Sequence, residues 1–520
     1  MNEKNKIWFF LLVILLLGAF LRFYKLGEKS FRADEFLGVN TVYGYLQTGE
    51  WRRWDFNMGK PYVDKPYFKT FFDFDFRNKD NKTYTRAWIY NWQVAQVLRI
   101  FPNKEYSYRI VSVVWGIISI LLIYFITFKI TGKKMIALIS AFLLAVSIDS
   151  IEFSRKMRMY AMFMPIFFVF TYYVFLFLES KRKSSLIVIE NMRKKTGLNF
   201  IFIAPVVLLG LLSMHLHLLT VNIVFVVLLY FLVMSMIYYK RKGNFKNKYV
   251  VYFLITVIIG WLFSLNNKVF LDSLGFQDHF SYFEKSFADY SSSIIAILLL
   301  LTGTFYFFKN KNKAGIFTVS SYFSIFFGAM FLWDRNTGNQ YLFFAKPFQT
   351  ILIAAGIFFI ADFLKNNSKK HVRKIFIMTI IILLLVTPNF AYFFQDENTY
   401  KQTSRSGNPN YRKIFKYVIK KRSYNDVLIT RNFRNFYWAD QKMSVYSLGG
   451  ERASKKEKKL TLTKLKDIIK KNKSGWLIYS DNDESFISKD AKNYIEKNLK
   501  KISNPYVRGP ISVWRWGNSN

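Results

Sequence analysis

Residues Ile7 to Leu26 read IWFFLLVILLLGAFLRFYKL, and the nature of this stretch decides how the rest of the chain is understood. It is long enough to cross a hydrocarbon layer of about 30 Å as a helix. A short lysine-bearing start precedes it, no small-residue cleavage site follows, and its apolar core exceeds that of a signal peptide, so it is expected to stay as a first membrane helix. Similar blocks recur near 108–130, 134–149, 160–178, 199–214, 218–239, 249–267, 291–308, 315–333, 341–364 and 375–394. A soluble chain of 520 residues would split into several domains, but apolar runs of this length predict about eleven membrane helices instead. The absence of cysteine excludes a disulfide scaffold, a thiolate metal site and a cysteine nucleophile. The 75 Lys and Arg against 33 Asp and Glu give a net charge of +42. These cations cluster between hydrophobic blocks, which points to membrane topology and not to a nucleic-acid partner.

The connections set an orientation. Lys129, Lys133 and Lys134, the run Lys181 to Lys183 with Arg193 to Lys195, Lys240 to Lys242, Lys309 to Lys313, and Lys365 to Lys374 all fall on the side of the N-terminus. The positive-inside rule makes that side cytoplasmic. Residues 27–107, the turn 149–158, His215 and everything beyond about 395 then lie outside, on a plasma membrane. Residues 395–520 change character: apolar runs shrink to strand length at Val427–Thr430, Trp476–Ser480 and Ile511–Trp516, separated by basic amphipathic stretches such as Tyr411–Lys421 and Leu462–Lys471. The predicted fold is therefore an all-α polytopic membrane domain, 1–394, followed by a soluble extracytoplasmic α/β domain, 395–520. The latter carries 28 Lys and Arg against 12 Asp and Glu, a charge suited to a solvated face over anionic headgroups. The membrane part shows no internal repeat, which counts against transporters built from duplicated halves.

Ionisable residues beside membrane helices mark candidate chemistry. Ser30-Phe31-Arg32-Ala33-Asp34-Glu35-Phe36 places an acidic pair just beyond the first helix. The plainest role for it is an N-cap, from Ser30 or Asp34, on a helix beginning at Glu35. Trp51-Arg52-Arg53-Trp54 looks interfacial, and Trp88, Trp92, Ala95, Leu98 and Phe101 recur with the spacing of an amphipathic helix at the bilayer surface. At the outer end of the third helix, Ile148 to Tyr160 holds Asp149, Glu152, Arg155, Lys156 and Arg158 in an otherwise apolar hairpin. These can pair internally, or Arg155 and Arg158 can offer planar donor forks to a phosphate. His215 and His217 bracket a helix end, and two positions apart they ligate one metal only if the helix stops there. Lys346 lies inside a late helix, where it either snorkels to headgroups or meets a phosphate.

Arg22 ahead of the Asp34-Glu35 pair, a long loop ending in an amphipathic helix, Tyr108-Arg109-Ile110-Val111-Ser112, Ser154 to Tyr160, and Tyr341-Leu342-Phe343-Phe344-Ala345-Lys346-Pro347 follow one another in order. That series resembles the GT-C polyprenyl-phosphate-sugar glycosyltransferases, in the branch of protein O-mannosyltransferases, lipid A aminoarabinose transferases and Rgt-type lipopolysaccharide sugar transferases. It departs from them where His-Pro-Pro or Lys-Pro-Pro is usual, having Tyr84-Thr85-Arg86 (with Lys65-Pro66 earlier). It also has Arg155-Lys156 where Gln-Glu is common, so an acid's role does not carry over to Lys156, and Glu152 is the acid that could replace it. Oligosaccharyltransferases share the architecture, but Trp438-Ala439-Asp440 and Trp514-Arg515-Trp516 do not match their WWD-type signature.

The resemblance implies transfer of a sugar from a polyprenyl-phosphate carrier to a glycan, lipid or protein acceptor on the outer face. Asp34 would be the base, with Glu35 orienting the acceptor or a metal, and Arg155, Arg158 and Lys346 would hold the donor phosphate. No cofactor is required. A divalent cation (Mg or Mn) at Asp34, Glu35, Asp149 and Glu152 would be compatible with this scheme, and zinc at the histidines is disfavoured. A transporter or a lipid or glycan flippase is the alternative class.

Overall fold

A computed structural model describes residues 3–51, 54–55, 60–61, 87–266, 275–334, 337–364, 370–386, 391–403, 410–430, 445–446, 448, 459–503 and 511–517. Arg52-Arg53, Lys65-Pro66, Tyr84 to Arg86, Lys365 to Lys369 and Trp438 to Asp440 lie outside the described residues. The first helices are α1 (Glu3–Phe23), α2 (Ala33–Thr48), α3 (Trp88–Ile100), α4 (Glu105–Thr131), α5 (Lys134–Val146), α6 (Ile148–Ser154) and α7 (Tyr160–Glu179). Each apolar block expected to cross the membrane is helical, the later ones as Ile203–Leu216, Asn222–Lys242, Lys248–Asn266, Ser293–Lys309, Lys313–Phe331, Lys346–Phe363 and Lys370–Val386. Among the described residues, six helices are long and apolar enough to cross a membrane, or up to eight if each of two bent pairs counts as one span. The protein is a multi-pass membrane protein. Two units emerge from the chain: residues 1–24 with 112–392, and residues 25–111 with 393–520.

The first unit is helical, and its surface shows why it belongs in lipid. Leu16, Leu208, Ile259 and Trp261 are each 60% exposed or more, a cost that water would impose and acyl chains do not. Inside, two helices meet backbone to backbone. A Cβ on Gly303 would run into the Leu352 carbonyl and one on Gly356 into the Leu299 carbonyl, so Ser293–Lys309 and Lys346–Phe363 approach more closely than any side chain permits. Between α5 and α6 the chain bends by 60°. Ser147 makes the bend: its backbone leaves helical geometry, and its hydroxyl accepts from the Ser150 N–H at 3.1 Å, capping α6.

In the second unit, α2 packs on α3 and ends at Gly49, whose φ of 73° is the left-handed conformation that glycine adopts without a Cβ penalty. On α3 the buried side is Tyr90, Asn91, Val94 and Ala95, while Trp92 is exposed. Of the stripe read from sequence, Trp92 and Phe101 are exposed, Trp88 and Leu98 half-buried and Ala95 buried. Strands β1 (Trp54–Asp55) and β2 (Lys60–Pro61) form an antiparallel pair. A five-stranded sheet runs in the order β4 (Val445–Tyr446), β3 (Val427–Thr430), β5 (Gly475–Ser480), β7 (Ile511–Trp516), β6 (Lys500–Lys501). Pairs β3–β4 and β3–β5 are parallel, and the β5–β7 and β6–β7 pairs are antiparallel. Alternation sorts its side chains. Val427, Ile429, Leu477 and Tyr479 pack against Leu465, Ile468, Ala491 and Ile495 of two helices, whereas Leu428, Trp476 and Ile478 pack against Ile414, Phe415 and Val418 of Tyr411–Lys421. Helices on both faces explain why these strands are buried along their whole length.

Candidate functional site

The acidic pair divides its labour. Helix α2 begins at Ala33, two residues before the expected start, and the cap comes from Glu35 and not from Ser30 or Asp34: its Oε2 accepts the Arg32 N–H at 3.0 Å. Glu35 is buried and held in a two-pronged ion pair by Arg109, at 2.9 Å (Nε to Oε1) and 3.0 Å (Nη2 to Oε2). Phe31 covers this pair, with the guanidinium 5.3 Å from its ring centroid and Tyr108 edge-on to the same ring. The neighbouring Asp34, on the first turn of α2, is exposed. One carboxylate is therefore built into the fold while the next faces outward.

In the helical unit a second group forms. Lys346, at the start of its helix beside Pro347, is buried and donates to Asp289 Oδ2 at 2.9 Å, Gln349 Oε1 at 3.0 Å and the Ser286 carbonyl at 3.2 Å. Asp149 Oδ2 is 3.8 Å away. Asp289 also accepts from the Ser147 hydroxyl at 2.5 Å and the Asp149 N–H at 3.0 Å, so it holds the bend between α5 and α6. Tyr290, whose ring centroid is 5.7 Å from the ammonium, is buried; burial and the nearby Asp289 charge push its phenol well above the ordinary value, so it stays protonated.

Below the bend, Arg22 is fully buried and meets five oxygen acceptors: the hydroxyls of Ser150 (2.8 Å) and Ser154 (3.2 Å) and the carbonyls of Gly18, Leu144 and Ala145 at 3.0–3.3 Å. Gly116 is required beside it, because a Cβ there would strike Ser154. Arg155 donates to the carbonyls of Arg22 at 2.8 Å and Tyr24 at 2.5 Å. Arg158 is half-buried with its guanidinium 5.4 Å from the Tyr160 ring centroid. Glu152 pairs with Lys156 at 2.5 Å. His217 ends the helix Ile203–Leu216, its Nδ1 accepting from Leu219 N–H at 3.1 Å, with Tyr160 and Phe163 packed on its ring; His215 is buried two residues earlier. Among the described residues, no three His, Asp or Glu side chains gather into a group that could hold a metal ion. The carboxylates of Glu35 and Glu152 are already paired, with Arg109 and Lys156.

Residues 85–192, which run from the approach to α3 through the Arg155–Arg158 turn, match the family model described as dolichyl-phosphate-mannose-protein mannosyltransferase. The crystal structure of ArnT from Cupriavidus metallidurans bound to undecaprenyl phosphate superposes with a TM-score of 0.57 over 99% of this chain and 98% of that one, at 9% identity. The apo oligosaccharyltransferase of Archaeoglobus fulgidus superposes at 0.60 over 92% of this chain and 70% of that one, at 10% identity. The chain has the GT-C fold. Comparison of the sequence with curated proteins finds no match. A fold kept at this identity rests on patterning and packing, not on residue identity.

Against that GT-C frame, the sequence singled out Asp34, Glu35, Asp149, Glu152, Arg155, Arg158, His215, His217 and Lys346. The structure brings Asp149 and Lys346 together through Asp289, which the sequence reading missed. Its signal was present: an ionisable residue in Phe287-Ala288-Asp289-Tyr290, directly before an apolar helix. In the sequence Arg109 stands out only as part of the Tyr108–Ser112 pattern, and its pairing with Glu35 is a matter of three-dimensional proximity.

Proposed function

We propose that the protein is a membrane glycosyltransferase that moves a sugar from a polyprenyl-phosphate carrier to a glycan, lipid or protein acceptor on the outer face of the membrane. The observation that supports this best is the likeness along nearly the whole chain to a protein whose structure holds undecaprenyl phosphate. In this reading Asp34, the exposed carboxylate, takes the proton of the acceptor hydroxyl as its oxygen attacks the anomeric carbon. The bond from that carbon to the phosphate oxygen breaks, and the electron pair leaves on the phosphate. Arg155 and Arg158 meet its charge with guanidinium donors. Direct displacement inverts the anomeric centre. The three N–H groups of Lys346 are all spent on neighbours, so it reaches a phosphate only by releasing Asp289; its standing role is to hold Asp289 beside Asp149. No step is routed through a metal ion.

The test is product formation by purified protein offered polyprenyl-phosphate sugars, with Asp34→Asn as the control. Glycosidic product from wild type and none from the variant fits the reading. Equal product from both removes Asp34, and movement of substrate across vesicles without a new glycosidic bond replaces the reading with a flippase.

A further inference from the structure

The loop that delivers Asp34 has no regular structure of its own between α1 and α2, yet its carbonyls are accounted for one after another. Leu26, Lys29 and Ser30 accept from Arg109 at 2.9, 3.0 and 3.4 Å. Gly27 and Glu28 accept from Arg412, at 2.9 Å from Nη1 and 2.5 Å from Nη2. Five consecutive carbonyls are thus held by two guanidinium groups. Arg412 comes from far along the chain, and its Nη1 also donates to Glu105 Oε1 at 2.6 Å, a carboxylate in the same opening turn of α4 that carries Arg109. A second attachment lies beside it. Lys29 donates to the Asn398 carbonyl at 2.7 Å and lies 3.4 Å from Glu397, which is also 3.4 Å from Arg32.

Arg412 does not reach from a free tail. It sits in the first turn of Tyr411–Lys421, where Asn410 caps the helix by accepting from Lys413 N–H. Ile414, Phe415 and Val418 on that helix are buried against the sheet. The sheet therefore presents the guanidinium from a packed support. Its planar fork reaches two successive carbonyls and a carboxylate in one fixed geometry, where an ammonium would have to hold three acceptors from the end of a flexible stem.

We infer that Arg412 is a positioning residue for the Asp34 loop, so that the C-terminal domain acts on turnover by fixing the Gly27 and Glu28 carbonyls. The inference rests on the reading of Asp34 as the base, whereas the hold on the loop is observable without catalysis. A loop with two carbonyls released samples more conformers, and a base that is displaced by about 1 Å loses on the order of 100-fold in rate. Donor binding, which in this reading depends on Arg155 and Arg158, is untouched.

The experiment uses the full chain in lipid nanodiscs, with Arg412→Gln and the milder Arg412→Lys. Amide hydrogen exchange of the peptide covering residues 25–36 is expected to rise at least tenfold in Arg412→Gln and less in Arg412→Lys, while binding of undecaprenyl phosphate stays within twofold. Where the wild type forms product, kcat is expected to fall at least tenfold with donor KM within twofold, and Arg412→Lys should recover part of it. Unchanged exchange in both variants overturns the inference, as does a fall confined to donor KM. If Arg412→Gln does not fold, Arg412→Lys decides by the same two readouts. A wild type inactive with every donor refutes the proposed function, and the exchange result still judges the loop.

Discussion

Two adjacent carboxylates with opposite duties give the sharpest test. Glu35→Gln leaves the buried Arg109 guanidinium facing a neutral amide. Breaking a buried ion pair by removing one partner costs about 3–5 kcal/mol. Arg109 keeps its three carbonyl acceptors, which puts the expected loss at the lower end, about 3 kcal/mol, or roughly 100-fold in the folding equilibrium at about 1.4 kcal/mol per decade. Asp34→Asn changes an exposed residue of the same helical turn to its isostere, for which about 1 kcal/mol is the ordinary cost of a point mutation. Loss of a general base costs about 100-fold to 10,000-fold in rate. Unfolding of both variants in one detergent, followed by turnover at a temperature where both remain folded, separates the two. Glu35→Gln should be much less stable, and Asp34→Asn stable and inactive. A Glu35→Gln protein as stable as wild type, or an Asp34→Asn protein with full turnover, would refute the division of roles.

Three further outcomes follow from the packing. Gly356→Val should separate the helices Ser293–Lys309 and Lys346–Phe363, since any Cβ there meets the Leu299 carbonyl; loss of folded protein on size-exclusion chromatography, with Gly260→Ala as a tolerated control in open surroundings, checks it. Asp289→Asn removes the nearest counter-charge of Lys346 and is expected to lower stability by about 3–5 kcal/mol, read as an earlier unfolding transition. Adding Lys346→Gln should return part of that loss, because the buried ammonium left without Asp289 is then removed. Replacing Arg155 and Arg158 together by Gln should raise donor KM at least tenfold; a change in acceptor KM alone would take the phosphate away from these residues.

Much of the frame is legible in the chain because membrane burial demands long apolar runs. The blocks from Ile7 to Phe394 each correspond to a helix, and the shortening of apolar runs after 395 announces the sheet domain. Strands Val427–Thr430 and Ile511–Trp516 are found as read; the first is a continuous apolar run that suits a strand covered on both faces, whereas the second interleaves half-buried Ser512 and Arg515 with its apolar residues. The short strands β4 and β6 carry too few residues for any period to show. At the site, the sequence marked Asp34 and Glu35 alike, because chemistry and spacing do not distinguish neighbours that point different ways.

The amino-acid order by itself determined that the chain crosses a bilayer repeatedly, that it ends in an α/β domain, and which ionisable residues stand beside apolar helices. These are local properties, set by hydrophobic length and periodicity within single segments. Only the tertiary structure decided which charges spend themselves on one another: Glu35 on Arg109, Asp289 on Lys346, and Arg412 on the loop before Asp34. Those partners lie tens to hundreds of positions apart. A buried charge is tolerable only where a counter-charge or a full set of hydrogen-bond partners arrives from elsewhere, and that arrival is a property of the packed molecule.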